Sequence, residues 1–291
     1  MKTKKYDSLI YKDALVKAYK YGNTIEMTTS KGPIKQTTRK IDRDRYVDLE
    51  TGEIMYYDNK SKTREQNIVS LKKTMKKLRR LIAHNFQGGN NQLWITLTFS
   101  EEVTDFKEAS KLYKEFIQRL RRLYSNLEYI SVIEPQHDGR WHFHVLLKDT
   151  QNEILYIDNK TLEKIWSNGF TKTKRLRTTD KIGNYLISYL SNLKLDDDTD
   201  TTIKGARLHY YPRGIRIYRR SNGIEDPVEL TDTKIRILDE YGITKKNPDY
   251  SSKTTYLKRD GKKQTYYTEF YDDIKKETMP TKANGFSQKN N

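Results

Sequence analysis

The 291-residue sequence contains no cysteine. The chain can therefore form neither disulfide bonds nor thiolate metal sites, which excludes the class of small secreted proteins held together by disulfides. No apolar run approaches the roughly 20 residues that a membrane-spanning helix needs, and the first residues form no apolar signal-peptide core. From these absences we expect a cytoplasmic protein without a membrane partner.

Acidic residues are few relative to basic ones, with 39 against 56, and the net charge is +17. This excess favours a polyanionic partner, and nucleic acid is favoured over a membrane surface. The sequence has no Gly-rich phosphate loop of the GxxxxGK[ST] type, so we expect no ATPase module. Hydrophobic residues make up 34% of the chain, and 22 tyrosines and 8 phenylalanines supply the bulk for a core.

The clearest local pattern is an alternation over residues 141–147, which read Trp-His-Phe-His-Val-Leu-Leu. A period of two predicts a β-strand whose successive side chains point to opposite faces of a sheet. His142 and His144 are therefore expected side by side on one face, while the apolar residues anchor the other. Two neutral imidazoles held in this way can bind a divalent metal ion.

A third ligand is predicted from the residues that precede this strand. Residues 129–134 are rich in β-branched and aromatic side chains, which predicts another strand, and Asp138-Gly139 predicts the turn between the two. Pairing about residue 138 places Glu134 opposite His142, on the face of both histidines. A register shift of one residue would move Glu134 to the other face. The alternative is that the histidines are ordinary residues of a half-buried strand.

Three parts are expected along the chain: a polar N-terminal leader (1–62), a main domain (63–228), and a small C-terminal appendage with a tail (229–291). Hydrophobic periodicity and turn residues predict the elements of the last two parts. The helices are expected at 64–86, 104–124, 158–166, 179–193 and 232–241, and the strands at 93–99, 170–177 and on both sides of 259–262.

Two basic stretches are candidate contacts for a phosphate backbone. The predicted strand 170–177 carries Lys172, Lys174, Arg175 and Arg177. The stretch 208–227 interleaves Arg213, Arg216 and other basic residues with aromatic ones, a composition that suits single-stranded DNA because rings stack on bases while arginines hold phosphates.

Tyr185 and Tyr189 lie four residues apart in the predicted helix 179–193, so they project from one helix face. An apolar stripe is adjacent, and on these residues alone packing is the favoured explanation of both tyrosines.

Taken in order, a Thr-Leu-Thr strand (96–98), the His-Phe-His strand (142–144) and a helix with Tyr185 and Tyr189 resemble the motifs of the rolling-circle replication initiators of the HUH endonuclease superfamily. These are the Rep proteins of small plasmids and single-stranded DNA phages. The resemblance covers about residues 92–227. It departs at Ser188, where many members have a lysine three residues after the first tyrosine, and this leaves the leading tyrosine open.

The resemblance implies an α+β fold with a central antiparallel sheet flanked by helices, a ferredoxin-like or RRM-like core. It also implies a metal-dependent DNA nicking-joining endonuclease, with Mg²⁺ or Mn²⁺ on Glu134, His142 and His144. Tyr185 or Tyr189 would attack a phosphodiester to give a 5′-phosphotyrosine and a free 3′-OH primer. The implied partners are origin DNA, single-stranded or in a hairpin, and a host helicase and polymerase, because no helicase is fused to the chain.

Two other interpretations fit the same residues. A conjugative relaxase or tyrosine transposase of the same superfamily would share the chemistry. A non-catalytic basic DNA-binding protein would use the His-Phe-His strand only structurally.

Overall fold

The computed structural model describes residues 7–31, 37–42, 44–57, 68–177, 210–212, 214–257 and 263–274. Within them the chain is α+β, as predicted, and all strand pairs are antiparallel. The helices are α1 (Ile68–Asn85), α2 (Phe106–Leu123), α3 (Asn159–Trp166) and α4 (Lys234–Glu240). The strands are β1 (Leu15–Tyr21), β2 (Thr24–Thr29), β3 (Thr38–Lys40), β4 (Arg45–Asp48), β5 (Ile54–Tyr56), β6 (Gln92–Phe99), β7 (Leu127–Pro135), β8 (Trp141–Asp149), β9 (Gly169–Arg175), β10 (Tyr218–Arg220), β11 (Val228–Thr233), β12 (Tyr250–Leu257) and β13 (Lys263–Tyr271).

The chain divides into two compact units, with the boundaries after residues 36 and 226. The middle unit contains a five-stranded sheet in the order β10-β7-β8-β6-β9 and a separate three-stranded sheet in the order β3-β4-β5. Strand β8 is buried along nearly its whole length, because it pairs with β7 on one side and β6 on the other. The turn between β4 and β5 contains Gly52, which has a positive φ of 75° and is the turn that the sequence predicts.

Helix α2 forms because its apolar residues recur every three or four positions and bury one face, and it begins at an N-cap. The Asp105 carboxylate accepts a hydrogen bond of 2.7 Å from the backbone N–H of Glu108. On the buried face, Tyr113 stacks on Phe143 of β8 with ring centroids 4.3 Å apart. Helix α2 therefore covers the sheet face that carries the apolar residues of β8.

Helix α3 is anchored to the same layer by its last residue, Trp166, which is completely buried. Its indole N–H donates a hydrogen bond of 3.1 Å to the backbone carbonyl of Thr98 in β6, and its ring lies 5.6 Å from that of Phe116 in α2. An Asp158 N-cap begins this helix, as the sequence predicts, with its carboxylate 2.9 Å from the backbone nitrogen of Thr161.

Gly169, at the start of β9, is required by close backbone contact. Its φ is +144°, and a Cβ atom there would lie 2.3 Å from the backbone oxygen of Thr98 and the backbone nitrogen of Ser100. The absence of a side chain therefore allows β9 to pair with β6 up to its first residue.

The second unit is a five-stranded sheet in the order β11-β1-β2-β13-β12, with α4 following β11. Its apolar core includes Val16, Ile25, Met27 and Ile237. A buried ion pair joins α4 to β13, with the ammonium group of Lys234 2.6 Å from a carboxylate oxygen of Glu269.

This unit differs from the expected N-terminal leader and C-terminal appendage. Strands β1 and β2 lie in the predicted leader, yet β1 pairs with β11 and β2 pairs with β13, both of which follow Pro227. The physical reason is that pairing between strands so distant along the chain leaves no local pattern in either segment. The chain division at residue 228 remains a prediction, close to the boundary after residue 226.

Within the described part of the chain, none of the helices combines the length and the apolar character that crossing a bilayer requires.

Candidate metal centre

The hairpin of β7 and β8 has the register that the sequence predicts. Glu134 pairs with His142, and Val132 pairs with His144. Pro135 and Trp141 close the strand pairing, so the turn consists of the five residues 136–140, and Gly139 has a positive φ of 86°. The carboxylate and both imidazoles consequently leave the same face of the sheet.

The three side chains converge on one point. Nε2 of His142 and Nε2 of His144 each lie 3.0 Å from the same carboxylate oxygen of Glu134, Oε2. All three residues are buried, with 8% or less of their surface exposed. One potential ligand atom from each residue lies within 4.8 Å of the other two, which makes the cluster a candidate site for a metal ion.

Electrostatics favour the ligand-competent protonation states of this cluster. Burial alone would raise the pKa of the Glu134 carboxyl group, but hydrogen bonds from both histidines lower it to below its usual value. Burial lowers the pKa of His144, and the opposing effect of Glu134 is smaller. A carboxylate and a neutral imidazole near pH 7 are the forms that bind a divalent cation.

A second layer of polar groups holds the two imidazole rings. The Gln136 side-chain amide lies 3.0 Å from Nδ1 of His142. The Thr96 hydroxyl lies 3.3 Å, and the indole N–H of Trp94 3.4 Å, from Nδ1 of His144. Such contacts fix the orientation of a metal-binding histidine through the nitrogen that does not bind the metal.

These supporting residues were only partly predictable from the sequence. Trp94 and Thr96 alternate with the apolar residues of β6, which places them on a common face, but the alternation does not identify the strand that pairs with β6. Gln136 lies in the turn, where no periodicity predicts the direction of a side chain.

The donor set fits a divalent metal ion. Two imidazole nitrogens and a carboxylate oxygen suit Mn²⁺ and other first-row ions, and Mg²⁺ prefers more oxygen ligands. Glu134, His142 and His144 would hold the ion, with Gln136 and Thr96 supporting the rings.

Two of the predicted DNA contacts lie on the face of this cluster. Lys172 pairs with Thr96, which in turn pairs with His144, so the three residues form one row across β9, β6 and β8. Lys172 is about 10 Å from His144 along this row, the width of two strand spacings. Lys174 shares that face, and both lysines are exposed.

The other predicted DNA contacts are arranged differently. Arg175 alternates to the opposite face of β9, where its guanidinium donates hydrogen bonds to the backbone carbonyls of Asn90 and Leu155. Arg177 and Arg216 are exposed. Arg213 lies outside the described residues, as do both candidate nucleophiles, Tyr185 and Tyr189.

The sequence analysis missed one aromatic residue on the cluster face. Phe170 pairs with Thr98, which pairs with His142, and 69% of its surface is exposed. An exposed ring on a strand is a suitable surface for stacking a nucleic-acid base.

Comparison with known proteins gives two similarities. Residues 92–194 match the family model of the replication-associated protein ORF2. The chain is also 28% identical over 182 residues to the phasyl DNA replicon protein arp of Escherichia coli, which covers 52% of this chain. The match spans 62% of the length of that relative. No solved structure gives a significant match. The two similarities support a replication initiator, and the range of the family match contains the Glu134–His142–His144 cluster.

Proposed function

We propose that this chain is a rolling-circle replication initiator of the HUH endonuclease type, which nicks single-stranded origin DNA by tyrosine attack. The observation that carries the proposal is the convergence of ligand atoms from Glu134, His142 and His144 within 4.8 Å. The similarity of residues 92–194 to a replication-associated family supports DNA as the substrate.

The DNA strand is proposed to cross the sheet face that carries the cluster. Lys172 and Lys174 would contact phosphates on either side of the reacting one, since both are exposed on that face. The ring of Phe170 would stack on a base, which requires that the base be unpaired. This arrangement favours a single strand over a duplex at the site of cleavage.

The cluster residues prepare the site for chemistry on a phosphate. A divalent ion held there would supply charge neutralisation and Lewis-acid polarisation at a non-bridging phosphate oxygen. Glu134 keeps its negative charge because the histidines lower its pKa. Gln136 and Thr96 hold the histidine rings so that both Nε2 atoms face Glu134 Oε2.

Tyr185 or Tyr189 is the proposed nucleophile. The phenolic oxygen forms a bond to phosphorus, the bond from phosphorus to the 3′ oxygen breaks, and the tyrosine proton leaves as the 3′ oxygen becomes a hydroxyl. A phenol has a pKa of about 10, so the attacking group must be activated. The phosphotyrosine conserves the energy of the ester bond, so the transfer needs no ATP, in agreement with a sequence without a phosphate loop.

A covalent adduct on a denaturing gel tests this function. The protein is incubated with Mn²⁺ and a single-stranded origin oligonucleotide labelled at its 3′ end, because the 5′-phosphotyrosine retains the fragment on that side. We expect a labelled band at the mass of protein plus DNA, and we expect Tyr185→Phe with Tyr189→Phe to abolish it. Peptide mass mapping then identifies the tyrosine that reacts first.

Tyr156→Phe is the matched control, since Tyr156 is a highly exposed tyrosine outside the cluster face. This variant should form the adduct as the unchanged protein does. An adduct that survives the double substitution would refute the tyrosine mechanism. Absence of any adduct, with unchanged affinity for origin DNA in the double variant, would instead identify a non-catalytic DNA-binding protein.

A further inference from the structure

A groove lies in the middle unit, on the side of the sheet opposite the Glu134–His142–His144 cluster. It runs between α2 and the strands β7 and β10 and has a volume of about 610 Å³. Its position follows from β8: Tyr113 lines the groove and stacks on Phe143, which alternates with His142 and His144 and so points to the other face.

The rim of this groove is strongly basic. Lys107, Lys111 and Lys114 are exposed at successive turns of α2, and Arg219 of β10 faces them. Among the described residues that line the groove none is acidic, and within the same part of the chain none of the three lysines forms an ion pair. Four positive charges without neutralising partners around one depression are complementary to a polyanion.

The floor of the groove is aromatic and apolar. Tyr129 of β7 is half-buried and keeps part of its ring accessible, and Ile117 and Tyr113 lie beside it. Arg219 is held in place: its guanidinium donates a hydrogen bond of 2.8 Å to the Ser110 hydroxyl and lies 5.7 Å from the Tyr113 ring centroid. The arginine is thus positioned before any ligand binds.

We propose that this groove is a second binding surface for single-stranded DNA, separate from the face at which nicking is proposed. Cations along a rim with aromatic side chains beneath them are the combination by which proteins hold single strands, since phosphates contact the cations and bases contact the rings. A duplex would keep its bases stacked inside and could reach only the rim. The inference rests on the proposed function only in taking DNA as the partner.

Two pairs of lysine substitutions test the charge contribution. Lys107→Gln with Lys111→Gln removes two rim charges four residues apart on an exposed helix. Lys160→Gln with Lys164→Gln is the matched control, since it removes two charges at the same spacing on exposed positions of α3 that do not line the groove. Binding of a long oligo(dT) strand is measured as a function of salt concentration. The groove pair should lower the slope of log K against log[salt] by about 1.4, since each phosphate contact to a single strand contributes about 0.7.

Substitution of the floor tests the stacking contribution. Tyr129→Leu should weaken oligo(dT) binding by roughly five- to 150-fold, the effect of one lost base–aromatic stack. Tyr129→Phe keeps the ring and should bind like the unchanged protein. This rescue separates stacking from a general loss of structure, because both variants remove the same hydroxyl group.

The two proposals fail separately. Equal salt slopes for the groove pair and the control pair would refute the groove, even if the protein forms a tyrosine adduct with origin DNA. A lower slope for duplex DNA with an unchanged slope for oligo(dT) would also refute it. Weaker oligo(dT) binding in a protein that forms no adduct would support the groove and refute the nicking function.

Discussion

Replacing Glu269 by glutamine tests how strongly a buried ion pair stabilises the unit that contains both ends of the described chain. The Glu269 side chain is fully buried, and Lys234 is only 3% exposed. One carboxylate oxygen accepts hydrogen bonds from the backbone N–H groups of Leu9 at 2.7 Å and Ile10 at 2.8 Å. The other lies 2.6 Å from the Lys234 ammonium and 2.8 Å from the Tyr271 hydroxyl. One carboxylate thus connects the N-terminal segment, α4 and β13.

The expected loss of stability is large because the substitution leaves a buried charge. The carbonyl oxygen of a glutamine can still accept from Leu9 and Ile10, but its amide group would then face the Lys234 ammonium with another donor. Breaking a buried pair by removing one partner costs about 3–5 kcal/mol. This corresponds to an increase of roughly two to four powers of ten in the population of the open state.

Native-state hydrogen exchange measures this population at individual amides. In Glu269→Gln, the amides of β2 and β13 should exchange faster by the factor given above, while the amides of β8 serve as a reference in the other unit. Glu229→Gln is the matched control in the same sheet, because Glu229 and Lys17 form an exposed ion pair, worth at most about 1 kcal/mol. Equal effects of the two substitutions would refute the reasoning.

Acid should have a related effect. Burial alone would raise the pKa of Glu269, but hydrogen bonds from Lys234, Ile10 and Tyr271 lower it to below its ordinary value of 4.5. A lowered pKa in the folded state stabilises the protein above the pKa of the unfolded state, and this stabilisation is lost as the pH falls through the folded pKa. The unchanged protein should therefore lose protection in β13 below about pH 4. Glu269→Gln should lack this transition, and its persistence there would assign the transition to another group.

Two further predictions concern the middle unit. Mn²⁺ at a hundred times its dissociation constant should stabilise the protein by about 2.7 kcal/mol and raise its melting temperature by roughly 5–10 °C; Glu134→Gln should remove this shift, and an equal shift in that variant would place the ion elsewhere. Gly169→Ala should destabilise the protein in urea by about 3 kcal/mol or more, because its Cβ atom would lie 2.3 Å from backbone atoms of β6. Gly52→Ala should cost only about 1–2 kcal/mol, since it has a positive φ but open space around it, and similar losses for the two alanine variants would show that β9 can shift.

Local patterns were sufficient to predict the centre of the candidate site. The alternation in β8 and the turn at Asp138-Gly139 together determine which residue lies opposite His142, because a hairpin register depends only on neighbouring residues. The same holds for α3, where Asp158 precedes an apolar helix pattern and becomes its N-cap. In both cases the interacting residues lie within about ten positions of each other.

Long-range pairing could not be predicted in this way. The polar residues of β1 and β2 indicated no partner, and their neighbours in the sheet follow Pro227. Arg175 illustrates a second limit: its place in a basic strand suggested a phosphate contact, but alternation turns it to the opposite face from Lys172 and Lys174. A charge pattern gives the composition of a segment, and the side on which each charge lies depends on which strand is next to it.

The order of strands in the second unit has a consequence for synthesis of the protein on the ribosome. Strand β2 ends at Thr29, and its partner β13 begins at Lys263, more than 230 residues later. At translation rates of about 5–20 residues per second, β2 waits roughly 10 to 50 seconds for this partner. Residues 37–226 leave the ribosome during that interval, so the unit bearing the Glu134–His142–His144 cluster can fold while the first strands of the chain still have an unpaired edge.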